Sequence, residues 1–146
     1  MRSKLFAFAT ALIFILTSTV TVAGDEPASL RKSELETHPF TVGELKITIT
    51  GFRAGSLLTR ATIRVRVENL SDNAATFNPQ RLSLVGSNNR QSNIQSQQPS
   101  GKRFDFAQSI EIAPGAYIKE IYGLDHKVEL PARLFYEGKE LVQITD

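Results

Sequence analysis

Along Ala61 to Leu70 the side chains alternate: Ile63, Val65 and Val67 are aliphatic, and Arg64, Arg66 and Glu68 between them are charged. A period of two, with β-branched residues on one side, predicts a half-buried strand. Asn69 to Asn73 behind it carries turn chemistry. The pattern recurs along the chain. Phe40 to Thr50 puts Phe40, Val42, Leu45, Ile47 and Ile49 on one face, with Gly43 read as a bulge in a single strand. Gly51 to Thr59 reads as a connection rich in turn residues. Leu82 and Leu84 alternate before a turn at Gly86 to Asn89, and Phe104 and Phe106 flank Asp105 in a short extended piece. Tyr117 to Leu124 is strongly β-prone after the Pro114-Gly115 turn, and Leu134 to Ile144 folds back on itself about Glu137-Gly138-Lys139. Arg90 to Arg103 is almost wholly polar, with Ile94 its single aliphatic residue, and predicts a surface loop. The tally is roughly seven to nine short strands with no long amphipathic helix and no βαβ alternation, which predicts an all-β antiparallel sandwich rather than a barrel.

The first residues break this pattern. Arg2 and Lys4 precede a twelve-residue apolar run, Leu5 to Leu16, broken only by Thr10, and small residues around Ala23 follow. That is the layout of a secretory signal peptide over residues 1–23, cleaved after Ala23. The run is too short for a membrane-spanning helix, which needs about 20 apolar residues. Residues 24–39 read as a polar N-terminal arm with a short helix over Ser29 to Glu36, and residues 40–146 as the folded domain. The expected location is exported, periplasmic or extracellular, with no membrane contact after cleavage.

Removing such a leader changes the charge picture. The full chain of 146 residues has 17 basic and 15 acidic side chains. Both basic residues of positions 1–23 are lost with the leader, so the remainder is balanced at 15 against 15 and has no overall attraction to nucleic acid. The absence of cysteine excludes thiol chemistry, disulfides and lipid attachment through an N-terminal cysteine.

Four stretches, VGELKITITGF, IRVRVENLSDNAATFNPQRLSLVGS, IAPGAYIKEIYGL and LPARLFYEGKELVQI, carry a resemblance over about Val42 to Ile144. The chain resembles a broad family of small exported bacterial domains with an immunoglobulin-like sandwich. The shared motifs are structural: a strand ending in Asn-x-Ser, a Leu-x-Leu strand before a glycine turn, and a Pro-Gly turn before a late strand. The resemblance implies an immunoglobulin-like fold and an exported location and implies no reaction. The paired cysteines and core tryptophan of antibody-type domains are absent.

Candidate chemistry is sparse. The histidines are His38 and His126, and Asp125 beside His126 is poorly placed on an extended chain to orient its own neighbour. No G-x-S-x-G elbow presents a serine. Asp125, His126, Glu129 and His38 lack the spacing of zinc or EF-hand ligands. The expectation is no enzyme, no cofactor and no metal. Asn69-Leu70-Ser71 matches a glycosylation sequon, a pattern short enough to arise by chance.

Charge placement is the uneven feature. Lys46 to Arg103 holds nine basic residues against Glu68 and Asp72, while the segments on either side are net acidic. Ordinary cross-strand pairing explains such interleaving. The functional reading is an anionic-partner face built on Arg64, Arg66 and Arg81, which suits an anionic polymer or an acidic protein. The expected role is therefore a non-enzymatic exported binding or accessory domain. The alternative is an inhibitor or chaperone-like module acting on an exported enzyme.

Overall fold

A computed structural model describes residues 26–98 and 106–146, so the signal-peptide reading of residues 1–23 lies outside the described residues, as does Phe104. The described chain is all-β. Its strands are β1 Ala28–Arg31, β2 Phe40–Val42, β3 Leu45–Arg53, β4 Thr62–Asn69, β5 Ala75–Phe77, β6 Leu82–Val85, β7 Gln91–Gln98, β8 Ile110–Ile112, β9 Tyr117–Leu124, β10 Ala132–Tyr136 and β11 Lys139–Thr145. Nine of them form one mixed sheet in the order β1-β11-β10-β6-β7-β9-β4-β3-β2, and β5 pairs with β8 in a separate ribbon. β1 runs parallel to β11, and the other pairs are antiparallel.

The sheet is curled, because its inward residues form one core. Ile63, Val65 and Val67 of β4 are buried, as are Ile47 and Ile49 of β3, and Leu84, Leu134, Val142 and Ile144 join them from β6, β10 and β11. Phe77, carried by the ribbon, ties the two halves of the sheet together. Its ring stacks on Tyr136 of β10 at 5.5 Å between centroids and meets Tyr122 of β9 at 6.3 Å, so strands on either side of β6 and β7 converge on one side chain. The curl also brings the two edge strands to a common cleft of about 480 Å³, lined by Ala28 and Leu30 of β1, Phe40 and Thr41 of β2, and Leu141 of β11.

Three local readings of the sequence change. Phe40 to Thr50 is a hairpin rather than one bulged strand: the chain reverses at Gly43-Glu44, and Val42 pairs with Leu45. The bulge sits later, where the register shifts between Ile49 and Gly51. The polar arm supplies edge strand β1 and buries Leu30 and Leu35, with only a 3-10 turn at Leu35–Thr37 where a short helix was expected. Parallel pairing to the far end of the chain has no local sequence signal.

The largest change is at Arg90 to Arg103. Gln91–Gln98 is strand β7, which pairs with β6 through Gln91 to Asn93 and with β9 from Ile94 onward, joining the two halves of the sheet. Ser92, Ile94 and Ser96 are buried, and the register shift between Ile94 and Ser96 turns Ser96 to the face of its partner Gly123. Small serines suit this junction, where backbones approach closely: a Cβ added at Gly123, the partner of Ser96, would lie 2.8 Å from the Ser96 hydroxyl. Residues 99–105 of the expected loop lie outside the described residues.

Tyr122 carries a cost within this core. Its hydroxyl is buried and has no hydrogen-bond partner among the described residues. Burial raises its pKa well above the usual tyrosine value, and the charge of Glu120, two positions away on β9, adds to the shift, with a smaller contribution from Tyr136. A buried unsatisfied hydroxyl costs about 1–3 kcal/mol. Tyr122→Phe is therefore expected to raise the melting temperature at neutral pH, and calorimetry checks it. The folded-state pKa lies above the unfolded one, so the neutral tyrosine's share of stability is intact below about pH 10 and fades as pH rises beyond it. The phenylalanine variant should lose less stability in that alkaline range, and a steeper loss would contradict the assignment.

Candidate functional site

The alternation that buries Ile63, Val65 and Val67 places Thr62, Arg64, Arg66 and Glu68 on the outer face of β4. Its neighbours add to that face in register. Lys46 of β3 lies opposite Glu68, and past the bulge Arg53 lies opposite Thr62. On β9, Lys119 lies directly opposite Arg66, and Tyr117 opposite Glu68. Lys46, Arg53, Arg64, Arg66 and Lys119 thus share one side of three adjacent strands, with Glu68 as the carboxylate among them. A shallow cleft of about 310 Å³ runs between Lys46, Arg66 and Lys119, with Glu36 at its rim.

Within this face the arginines differ. Arg66 is held: its guanidinium carbon lies 4.0 Å from the centroid of the Tyr117 ring, and Nη2 is 3.9 Å from Glu68 Oε2. Its Nε is buried with no hydrogen-bond partner among the described residues. Lys119 approaches the same ring at 5.9 Å, and Lys46 Nζ lies 3.6 Å from Glu68. Arg64 is exposed, and its stem lies over Gly51, where an added Cβ would sit 3.2 Å from its Cδ. Arg64 and Arg66 are therefore together on one face. Arg81 is not with them: it ends the 3-10 turn Pro79–Arg81 before β6, in the other half of the sheet, and its Nη1 lies 2.8 Å from Glu137 Oε1. Lys46 and Lys119 went unremarked as members of the face because strand adjacency, and not sequence spacing, brings them there.

The remaining candidates are scattered. Asp125 and His126 sit in the turn after β9 with Oδ2 and Nε2 at 3.8 Å, and Asp125 Oδ1 accepts the Asn93 amide at 2.9 Å. Arg90 Nη2 lies 3.0 Å from His126 Nδ1. His38 lines the other cleft, between the edge strands, with Nδ1 3.0 Å from the Glu34 carbonyl. Among the described residues no three His, Cys, Asp or Glu side chains gather as a ligand set. The sequon asparagine is a structural residue: Asn69 is fully buried, and its Nδ2 donates to the carbonyls of Asn73 and Ile112 at 2.6 and 2.9 Å. Among the described residues no helix is long and apolar enough to cross a membrane.

No protein-family model and no curated protein matches the chain. Among solved structures, the yjhA protein from Bacillus subtilis is similar at 14% identity and a TM-score of 0.49, covering 68% of this chain and 76% of that one. A likeness at that level carries no argument about this chain.

Proposed function

We propose that the protein is an exported, non-enzymatic binding or accessory domain on an immunoglobulin-like scaffold, and that the outer face of β3, β4 and β9 receives an anionic polymer or an acidic face of a partner protein. The single observation that carries the binding reading is that Arg66 and Lys119 stand directly opposite each other across β4 and β9, beside Lys46 and Arg64, with Glu68 the carboxylate in their midst. Like charges directly opposite in a sheet are destabilising, and a bound anion offsets that cost. Two features support the scaffold reading. β1 adds in parallel to β11 beside antiparallel β10 and β6, while β9, β4 and β3 form the opposite half, and both halves share the core around Phe77. Export rests on Arg2, Lys4 and the apolar run Leu5 to Leu16, and intact-mass measurement of the protein recovered from outside the cytoplasm should show a chain starting after Ala23.

Retention on an anionic matrix tests the face. Wild type is expected to elute at higher salt than an Arg64→Ala, Arg66→Ala double variant, because attraction between exposed charges is screened over about 8–10 Å at ordinary ionic strength. Arg81→Ala, which removes a cation from the other half of the sheet, should leave retention nearly unchanged. Coincident elution of wild type and the double variant defeats the proposal.

A further inference from the structure

The connection between β3 and β4, which reads in the sequence as a plain turn-rich link, presents two large apolar side chains almost entirely to solvent. Leu57 is 93% exposed and Leu58 96%. Both stand at the tip of the loop, beside a shallow cleft of about 340 Å³ that they line together with Arg60, Arg90 and Lys127.

The tip is built. Gly55 has φ of +82°, and a Cβ there would meet the Ala61 amide nitrogen at 2.6 Å, so only glycine permits this path. The Ala54 carbonyl accepts the Val128 amide at 2.8 Å, anchoring the base of the loop to the segment after β9. Ser56 N donates to the Thr59 carbonyl at 2.8 Å, and Ser56 Oγ accepts the amides of Leu58 and Thr59 at 3.2 and 3.1 Å. Hydrogen bonds within the loop thus satisfy the Ser56, Leu58 and Thr59 amides, which lowers the cost of taking the tip out of water.

Cations surround the base. Arg53 ends β3 and Arg60 precedes β4, while Arg90 and Lys127 line the same shallow surface as Ser56 to Thr59. Arg60 donates to the Gln95 amide oxygen, Arg90 contacts His126 and Lys127 pairs with Glu129, while Asp125 lines the same surface. Apolar side chains at a tip with cations set back from it match the layering of an anionic bilayer, acyl chains below and phosphates above. A protein socket for two leucines would instead need a matching concavity, and nothing in the loop selects one.

We propose that Leu57 and Leu58 insert into the surface of an anionic lipid bilayer while the surrounding cations meet the lipid phosphates. This departs from the expectation of no membrane contact. It also uses a surface other than Arg64 and Arg66, so either proposal can fail alone.

The chain has no tryptophan, so Leu58→Trp introduces a single fluorescent reporter at the tip. Because the run Leu5 to Leu16 would carry the full chain to any bilayer, the readout is placed on the tip itself. On mixed phosphatidylcholine and phosphatidylglycerol vesicles the reporter is expected to shift to shorter wavelength and to be quenched by brominated acyl chains, with little change on phosphatidylcholine alone. Adding Leu57→Ser should weaken the vesicle concentration dependence of that shift by roughly tenfold or more. Arg90→Gln with Lys127→Gln should weaken it by roughly fivefold per charge, on anionic vesicles only. The substituted positions are exposed, and unchanged circular dichroism confirms that each variant folds. An unshifted reporter on both vesicles overturns the proposal and leaves the tip to a protein partner. An equal shift on uncharged vesicles overturns the anionic-lipid assignment. Loss of the shift in an Arg64→Ala, Arg66→Ala background also overturns it, since the outer face would then be driving the contact.

Discussion

Val65→Asp is expected to unfold the protein or bring it to the edge of unfolding, whereas Arg64→Asp one position away leaves it folded. Val65 is 1% exposed and sits in the middle of β4, between Ile49 of β3 and the β9 backbone at Glu120. Losing its burial forfeits about 1.5–3 kcal/mol. The larger cost is an unpaired carboxylate held in the core, where its ionised form lacks water or a cation. Domains of this size have about 5–15 kcal/mol of total stability, so the two costs together consume much of it. Arg64 is exposed and its stem rests on Gly51, so its replacement sacrifices surface packing and a charge on a cationic face, a change expected to stay within about 1 kcal/mol. Thermal unfolding followed by circular dichroism separates the two variants. Equal melting temperatures would mean that the inward and outward faces of β4 are misassigned.

Asn69→Leu should be the most damaging change at a polar position. Asn69 ends β4 and is fully buried, and its amide satisfies groups on three sides. Nδ2 donates to the Asn73 and Ile112 carbonyls, and Oδ1 accepts the Ser71 amide and hydroxyl at 2.9 Å each. Its own backbone pairs with Ala116 and Gly115, so one residue ties the end of β4, the following turn, β8 and the turn before β9. Leucine has similar volume but returns none of these hydrogen bonds, and each buried group left unpaired costs about 1–3 kcal/mol. The expected loss is on the order of 3 kcal/mol or more. Ser71→Ala, which removes one hydroxyl at the exposed side of the same network, should cost much less. Denaturant unfolding of both variants checks this, and an Asn69→Leu midpoint close to wild type would sink it.

The strands with alternating β-branched residues were legible in the chain because their signal is local. Ile63, Val65 and Val67 alternate with charges over consecutive positions, so the inward face of β4 follows from the period of two alone. The same holds for Leu82 and Leu84 and for the closing hairpin of β10 and β11. The outward placement of Arg64 and Arg66 was legible for the same reason. Other features depended on distant partners. β7 is polar along nearly its whole length, and it is a strand because β6 and β9 flank it and Gly123 lets Ser96 close in. β1 pairs with a strand more than a hundred residues away, a contact that no local pattern encodes. The cationic face needed Lys46 and Lys119 from neighbouring strands, and Arg81 was drawn instead to Glu137 by the way β6 meets β10. Exposure of Leu57 and Leu58 was hidden because Gly51 to Thr59 reads only as a turn-rich connection, and the packed chain alone reveals which apolar residues found no cover. Local periodicity specifies which way a side chain points, but which surfaces meet is settled by long-range pairing, and that information is spread over the whole chain.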